Sequence, residues 1–152
     1  MPRIITPTSR VLHTGKVENT NSARAIINLG QQVLLCRGIG ENFTHMPGGH
    51  IDQRETPEEA LIRELQEEIG ITMASYHLVA ESDHEFLRER DGTLERQHSY
   101  YYTVKMAPFV NELGQLSKER NLSYEWHWIH QLYESGLQPF IAADIITRHA
   151  PY

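Results

Sequence analysis

The stretch that most constrains this chain is a helix whose start, end and charged face are all marked in the sequence. Thr56-Pro57-Glu58-Glu59 sets an N-cap threonine before a proline at the first helical position and a glutamate at the third, a capping box with a pre-set φ. Leu61, Ile62 and Leu65 form an apolar stripe at helical spacing, and Gly70 stands where a C′ glycine ends a helix, so the pattern predicts a helix over residues 57–69. Glu64, Glu67 and Glu68, at i, i+3 and i+4, project their carboxylates from one side of it. Like charges so placed repel by about 0.2–0.5 kcal/mol per pair on a bare helix, and by more wherever water is excluded. A bound cation removes that cost. Three carboxylates with backbone carbonyls and water form a hard oxygen site suited to Mg²⁺ or Mn²⁺, whereas zinc favours histidine or cysteine. The plainer alternative is a solvated acidic helix with Arg63 paired to Glu59 or Glu67. It gives no reason for Gly48-Gly49 ahead of Glu55, or for a glycine loop leading straight into a capped helix.

A chain of 152 residues fits one compact domain over residues 1–152, burying roughly two-thirds of the surface its unfolded form exposes. Residues 1–24 are polar and interrupted by Pro2 and Pro7, a poorly defined N-terminal extension with one short strand at most, near 3–5 or 10–13. Residues 25–36 read as two apolar β runs joined at a glycine turn, a hairpin, and 38–50 as a shaped loop without regular structure. After the helix, 75–81 and 83–88 read as strands, Asp91-Gly92 as a turn, 100–104 as a strand, 111–122 as a polar loop and 124–129 as a strand. Pro139 opens a closing helix with Ile141, Ile145 and Ile146 as its buried stripe.

From Gly49 the chain reads Gly, five residues, Glu55, seven residues, Arg63-Glu64-Leu65, one residue, Glu67-Glu68, one residue, Gly70-Ile71. Over residues 49–71 this resembles the Nudix box at every defining position. Its fixed identities co-occur by chance in on the order of one chain in a million, which is specific enough to carry fold and activity as expectations. The resemblance implies the α/β class: a MutT-like Nudix α/β/α sandwich with a mixed β-sheet and a catalytic loop and helix. It implies a metal-dependent hydrolase in which activated water attacks phosphorus within a diphosphate of a nucleotide-like small molecule. The Gly49 carbonyl, Glu64, Glu67 and Glu68 are then the metal donors for Mg²⁺ or Mn²⁺, and Arg63 holds them in place with Glu55 as its partner. Glu68 and Glu119 are the candidates for the general base. Arg54 departs from the glycine that many family members carry there, which puts loop detail in question. A non-catalytic nucleotide-binding or sensing module of the same fold is the alternative; such a module has no chemical need for all three glutamates. A capped-RNA or coenzyme pyrophosphatase is a third reading.

Twenty acidic against fourteen basic residues give a net charge of −6, which disfavours a grip on long nucleic acid, since that grip needs clustered Lys and Arg. Local groups must therefore bind a small anion, and Arg24, Arg37, Phe43 and His45 are the candidate substrate-binding residues, with Arg88, Arg96, His50, Tyr101 and Trp126 also in reach of such roles. His127 and His130 fall on opposite faces of an expected strand, so they make no zinc pair. Cys36 is the only cysteine, which excludes an internal disulfide. No apolar leader, membrane-length run or phosphate-binding P-loop is present, and a cytoplasmic location is the expectation. The N-terminal stretch leaves room for a homodimer contact. Oxidised nucleoside triphosphate, ADP-ribose, sugar nucleotide and dinucleoside polyphosphate all stay open as substrates.

Overall fold

A computed structural model of the chain describes residues 14–70, 72–106 and 122–151. The elements are β1 (Val17–Ile26), β2 (Asn28–Leu29), β3 (Gln32–Gly38), β4 (Gly48–His50), α1 (Pro57–Glu68), β5 (Met73–Leu87), β6 (Leu94–Met106), β7 (Leu122–Trp128), a 3₁₀ helix (Ile129–Glu134) and α2 (Ile141–His149). A four-stranded sheet runs β4-β1-β6-β5 and a three-stranded sheet runs β2-β3-β7. β1 and β6 pair in parallel from Val17↔Leu94 to Ile26↔Thr103, and the other pairs are antiparallel.

Alternation along the strands separates two cores. On one face Ala23, Ala25, Tyr102 and Val104 pack with Leu61, Leu65 and Ile69 of α1. On the other, Ile26 and Tyr101 pack with Met46, Leu132, Ile145 and Ile146, under α2. One helix on each side of the strands gives the α/β/α layering. Leu61, Leu65 and Ile69 are fully buried, and at ~1.5–3 kcal/mol each they outweigh the repulsion among the glutamates of the same helix. Thr56 Oγ1 accepts from the Glu59 N–H at 3.1 Å, and the Gly70 N–H, at φ +73°, closes the helix on the Leu65 and Gln66 carbonyls at 3.0 Å.

Several expectations need correction. The polar run at 18–22 lies within β1, because Thr20 and Ser22 find partners across the sheet in Glu95 at 2.8 Å and Ser99 at 2.8 Å. The hairpin expected over 25–36 is smaller: the chain changes sheets after Ile26, and only β2 and β3 form the hairpin, turning at Gly30. The loop over 38–50 ends in a short strand, since β4 pairs with β1. β5 is one strand through Ser82, whose hydroxyl pairs with Tyr101 Oη at 2.8 Å. Ile62 is 39% exposed and outside the buried stripe. His130 lies in the 3₁₀ helix, and α2 begins two residues after Pro139. Residues 3–5, 10–13 and 111–121, with Glu119, and also Ile71, lie outside the described residues.

Candidate active site

β1, β4 and α1 build the site between them. At Gly48, with φ +128°, a Cβ would stand 2.0 Å from the Ala23 carbonyl oxygen. At Gly49 a Cβ would stand 2.5 Å from the carboxyl carbon of Glu64. Only the glycine pair lets β4 lie this close to both β1 and α1. Arg24 braces the loop from the β1 side, donating from Nη1 to the carbonyls of Met46 at 3.1 Å and Gly48 at 3.0 Å.

Arg63 sits among the carboxylates. Its Nε and Nη2 donate to the two oxygens of Glu55 at 2.7 and 2.9 Å, and Nη1 donates to Glu64 at 2.9 Å and Glu67 at 3.3 Å. Nη2 also reaches the His50 carbonyl at 3.1 Å. The guanidinium fork holds the Glu55 carboxyl down at about 2, while the ring of acids raises the pKa of Arg63 itself. Burial pushes the Glu64 carboxyl up against the opposing pull of Arg63, so its charge is sheltered and seeks a cation. Glu68 is 4% exposed and accepts the Gly48 N–H at 3.2 Å, with Tyr124 Oη at 3.5 Å from the same oxygen. Among the described residues no three His, Cys, Asp or Glu side chains converge on one point; Arg63 is the cation between them.

Behind β4, on the α2 face of the sheet, lies a pocket of about 450 Å³, a size in the range of small-molecule sites. Phe43, Met46, Phe86 and Pro139 form apolar wall, and His84, Glu95 and Gln97 form a polar end. His50 joins the two regions: its Nε2 lies 3.2 Å from Glu95 and 3.1 Å from Gln97 Nε2, while its carbonyl is held by Arg63.

The structure thus brings Gly49, Arg63, Glu64, Glu67 and Glu68 together, and sets Arg24, Phe43 and His45 along the adjoining pocket. His45 is driven down to about 4 by burial, with Arg24 adding to the effect. Arg37 falls elsewhere, on β3, paired with Glu125 of β7 at 2.6 Å. Arg96 pairs with Glu85 on the opposite sheet face from Gln97. Sequence reasoning passed over His84, Phe86, Glu95, Gln97 and Tyr124. The signal for part of this set was the run Glu95, Gln97, Ser99, polar at every second position of a strand that continues into the buried Tyr101.

Comparison with known proteins decides the family: the model of the NUDIX domain matches residues 19–148. The chain belongs to the Nudix hydrolase family. It is a hydrolase acting on diphosphate bonds. An RNA pyrophosphohydrolase of Pseudomonas paraeruginosa is 31% identical over 121 residues, covering 73% of this chain and 76% of its own. An 8-oxo-dGTP diphosphatase of Escherichia coli K12 is 49% identical over 65 residues, 40% of this chain and 50% of that one. Among solved structures, a MutT protein from Methanosarcina mazei superposes with a TM-score of 0.64 at 21% identity, over 86% of this chain and 91% of that chain. A NUDIX hydrolase from Nitrosomonas europaea gives 0.60 at 17% identity, over 86% and 87%. These likenesses establish the Nudix fold. Among the described residues no helix is long and apolar enough to cross a membrane.

Proposed function

We propose that this Nudix hydrolase is divalent-metal dependent and cleaves the diphosphate of a nucleotide whose organic part enters the pocket behind β4. One observation carries the reading: sheltered carboxylates on one helix, pressed against a glycine backbone and neutralised by an arginine, lie on the other side of β4 from a pocket of nucleoside size. The donor set fits Mg²⁺ or Mn²⁺, being all hard oxygen, with the buried Glu64 carboxyl in want of positive charge. Arg63 keeps two bonds to Glu55, so it can surrender Glu64 and Glu67 without being left unpaired.

Glu64, Glu67, Glu68 and the Gly49 carbonyl would hold the ion. Once bound it supplies charge that offsets the build-up on the diphosphate oxygens and makes a nearby water more acidic. Glu68 takes the proton from that water as its oxygen attacks phosphorus; the bridging P–O bond breaks, leaving a nucleoside monophosphate and a second phosphorylated fragment. Gly48, through its N–H, fixes the Glu68 carboxylate, and Arg63 fixes the helix against the loop. Glu119 is the other candidate base. The names of the relatives, an RNA pyrophosphohydrolase and an 8-oxo-dGTP diphosphatase, put both substrate types on the panel.

The test is incubation with Mg²⁺ and a panel of nucleoside diphosphate and triphosphate derivatives, with products separated by chromatography. Turnover that stops with EDTA supports the reading. A protein that binds a nucleotide and turns none over is instead the sensing module.

A further inference from the structure

We propose that His84 is a specificity-determining residue, whose unpartnered ring nitrogen hydrogen-bonds a neutral nitrogen heterocycle held in the pocket behind β4. This deepens the preceding reading and rests on it for the identity of the pocket's occupant. His84 is 7% exposed, and its Nδ1 is buried without a hydrogen-bond partner. A buried polar atom left unpaired costs stability, and folded proteins keep few of them. This one belongs to a residue lining the pocket, beside Phe86 on the same strand, their rings 6.2 Å apart and 22° from parallel. Across the strand pair, Gln97 stands opposite His84 and Glu95 opposite Phe86. His84 and Gln97 also line a second cavity next to the first. The imidazole therefore stands at the boundary of two spaces, with Gln97 as its neighbour across the strand pair.

Charge selects the occupant. The lining arginines are already engaged: Arg24 by the Met46 and Gly48 carbonyls, Arg88 by Glu18 at 2.7 Å and Asp91 at 3.3 Å, and Arg90 faces Asp91 at 3.9 Å. Glu95 adds a buried carboxylate. Burial lowers the His84 pKa and takes His45 down to about 4, so both rings are neutral at pH 7. A second phosphate would meet Glu95 with the arginines among the described lining residues already engaged. A flat neutral ring instead finds Phe43, Phe86, Met46 and Pro139 along its faces and one neutral imidazole at its edge. His84 can serve as donor or acceptor according to tautomer, so it discriminates between bases by which edge they present.

Binding tests this without turnover. The ¹⁵N-labelled protein is titrated with AMP, GMP, CMP and UMP, and with ribose 5-phosphate, which has no ring. The expected result is that the His84 ring nitrogens shift with one base or a subset, and stay still with ribose 5-phosphate. His84→Phe should weaken the preferred nucleotide about ten- to thirtyfold, leave the others within about threefold, and not lower Tm, because it removes an unpaired buried nitrogen. His84→Asn, which places a polar atom near the Nδ1 position, should restore most of the preference. In turnover the loss should appear in KM, with kcat little changed. Still His84 resonances with all four nucleotides, unaltered base preference in His84→Phe, or uniform weakening by it would each overturn the proposal. The two readings fail separately. His84-dependent binding without hydrolysis sinks the catalytic reading alone, and hydrolysis with unaltered preference in His84→Phe sinks this one alone.

Discussion

The acidic end of α1 and the pocket on the other face of the sheet handle charge in opposite ways. At α1, three carboxylates, Glu55, Glu64 and Glu67, crowd one guanidinium, and the burial of Glu64 makes the excess negative charge costly. In the pocket the arginines are matched with acids or carbonyls, and burial lowers the pKa of His45 and His84. In the proposed reading the first region receives positive charge and acts on phosphate, and the second receives something uncharged. Chemistry and selectivity thus lie on opposite sides of one short edge strand, β4, with His50 touching both.

That contrast can be broken by substitutions on the acidic side, which should cost rate far more than base preference. Glu68→Gln should lower kcat by about 10²–10⁴-fold with the ranking of nucleotides unchanged, as removal of a proton acceptor does; steady-state kinetics on two nucleotides checks it. Arg63→Lys keeps the charge and loses the fork that grips Glu55, and should cost about 10–100-fold in kcat, a figure guided by the loss of groups that orient metal ligands. Gly48→Ala should destabilise by more than about 2 kcal/mol in urea unfolding, since the added Cβ meets the Ala23 carbonyl at a positive φ.

Two smaller effects sharpen it. The Glu55 carboxyl is depressed from 4.5 to about 2 by Arg63, so the stability their pair contributes is present above pH 4.5 and lost as pH falls through that interval toward 2. The Tm difference between wild type and Glu55→Gln should therefore shrink as pH is lowered from 7 to 3, and a difference that grows would show the sign to be wrong. Arg54 adopts φ +72°, so Arg54→Gly should raise stability by about 0.5–1 kcal/mol, relieving backbone strain of ~1–2 kcal/mol against the entropy glycine adds to the unfolded chain.

The same division governs what could be read from the sequence. The acidic site is local: a cap, a C′ glycine and three glutamates within one turn of helix fix each other's positions by helical spacing, so the α1 boundaries were legible, while the Arg63–Glu55 bond was implied only by the resemblance to the Nudix box. Gly48 and Gly49 stood out in the sequence too, although only the approach of Ala23 and Glu64 shows why each must be glycine. The pocket is non-local. His84, Glu95, Gln97 and Arg24 meet through the register of β5, β6 and β1, and no short pattern records that register. β1 itself was missed at its polar end because Thr20 and Ser22 read as loop residues until Glu95 and Ser99 supply their partners. Arg37 looked as available as Arg24 in sequence; its pairing with Glu125 depends on β7, 88 residues away.

The most direct test of the account is a calorimetric titration of Mn²⁺ into the wild-type protein and into Glu67→Gln. The account predicts saturable binding by the wild type that weakens by at least about tenfold in the variant, with nucleotide monophosphate binding in the pocket unchanged. No saturable binding by the wild type, or equal affinity in both proteins, would contradict it.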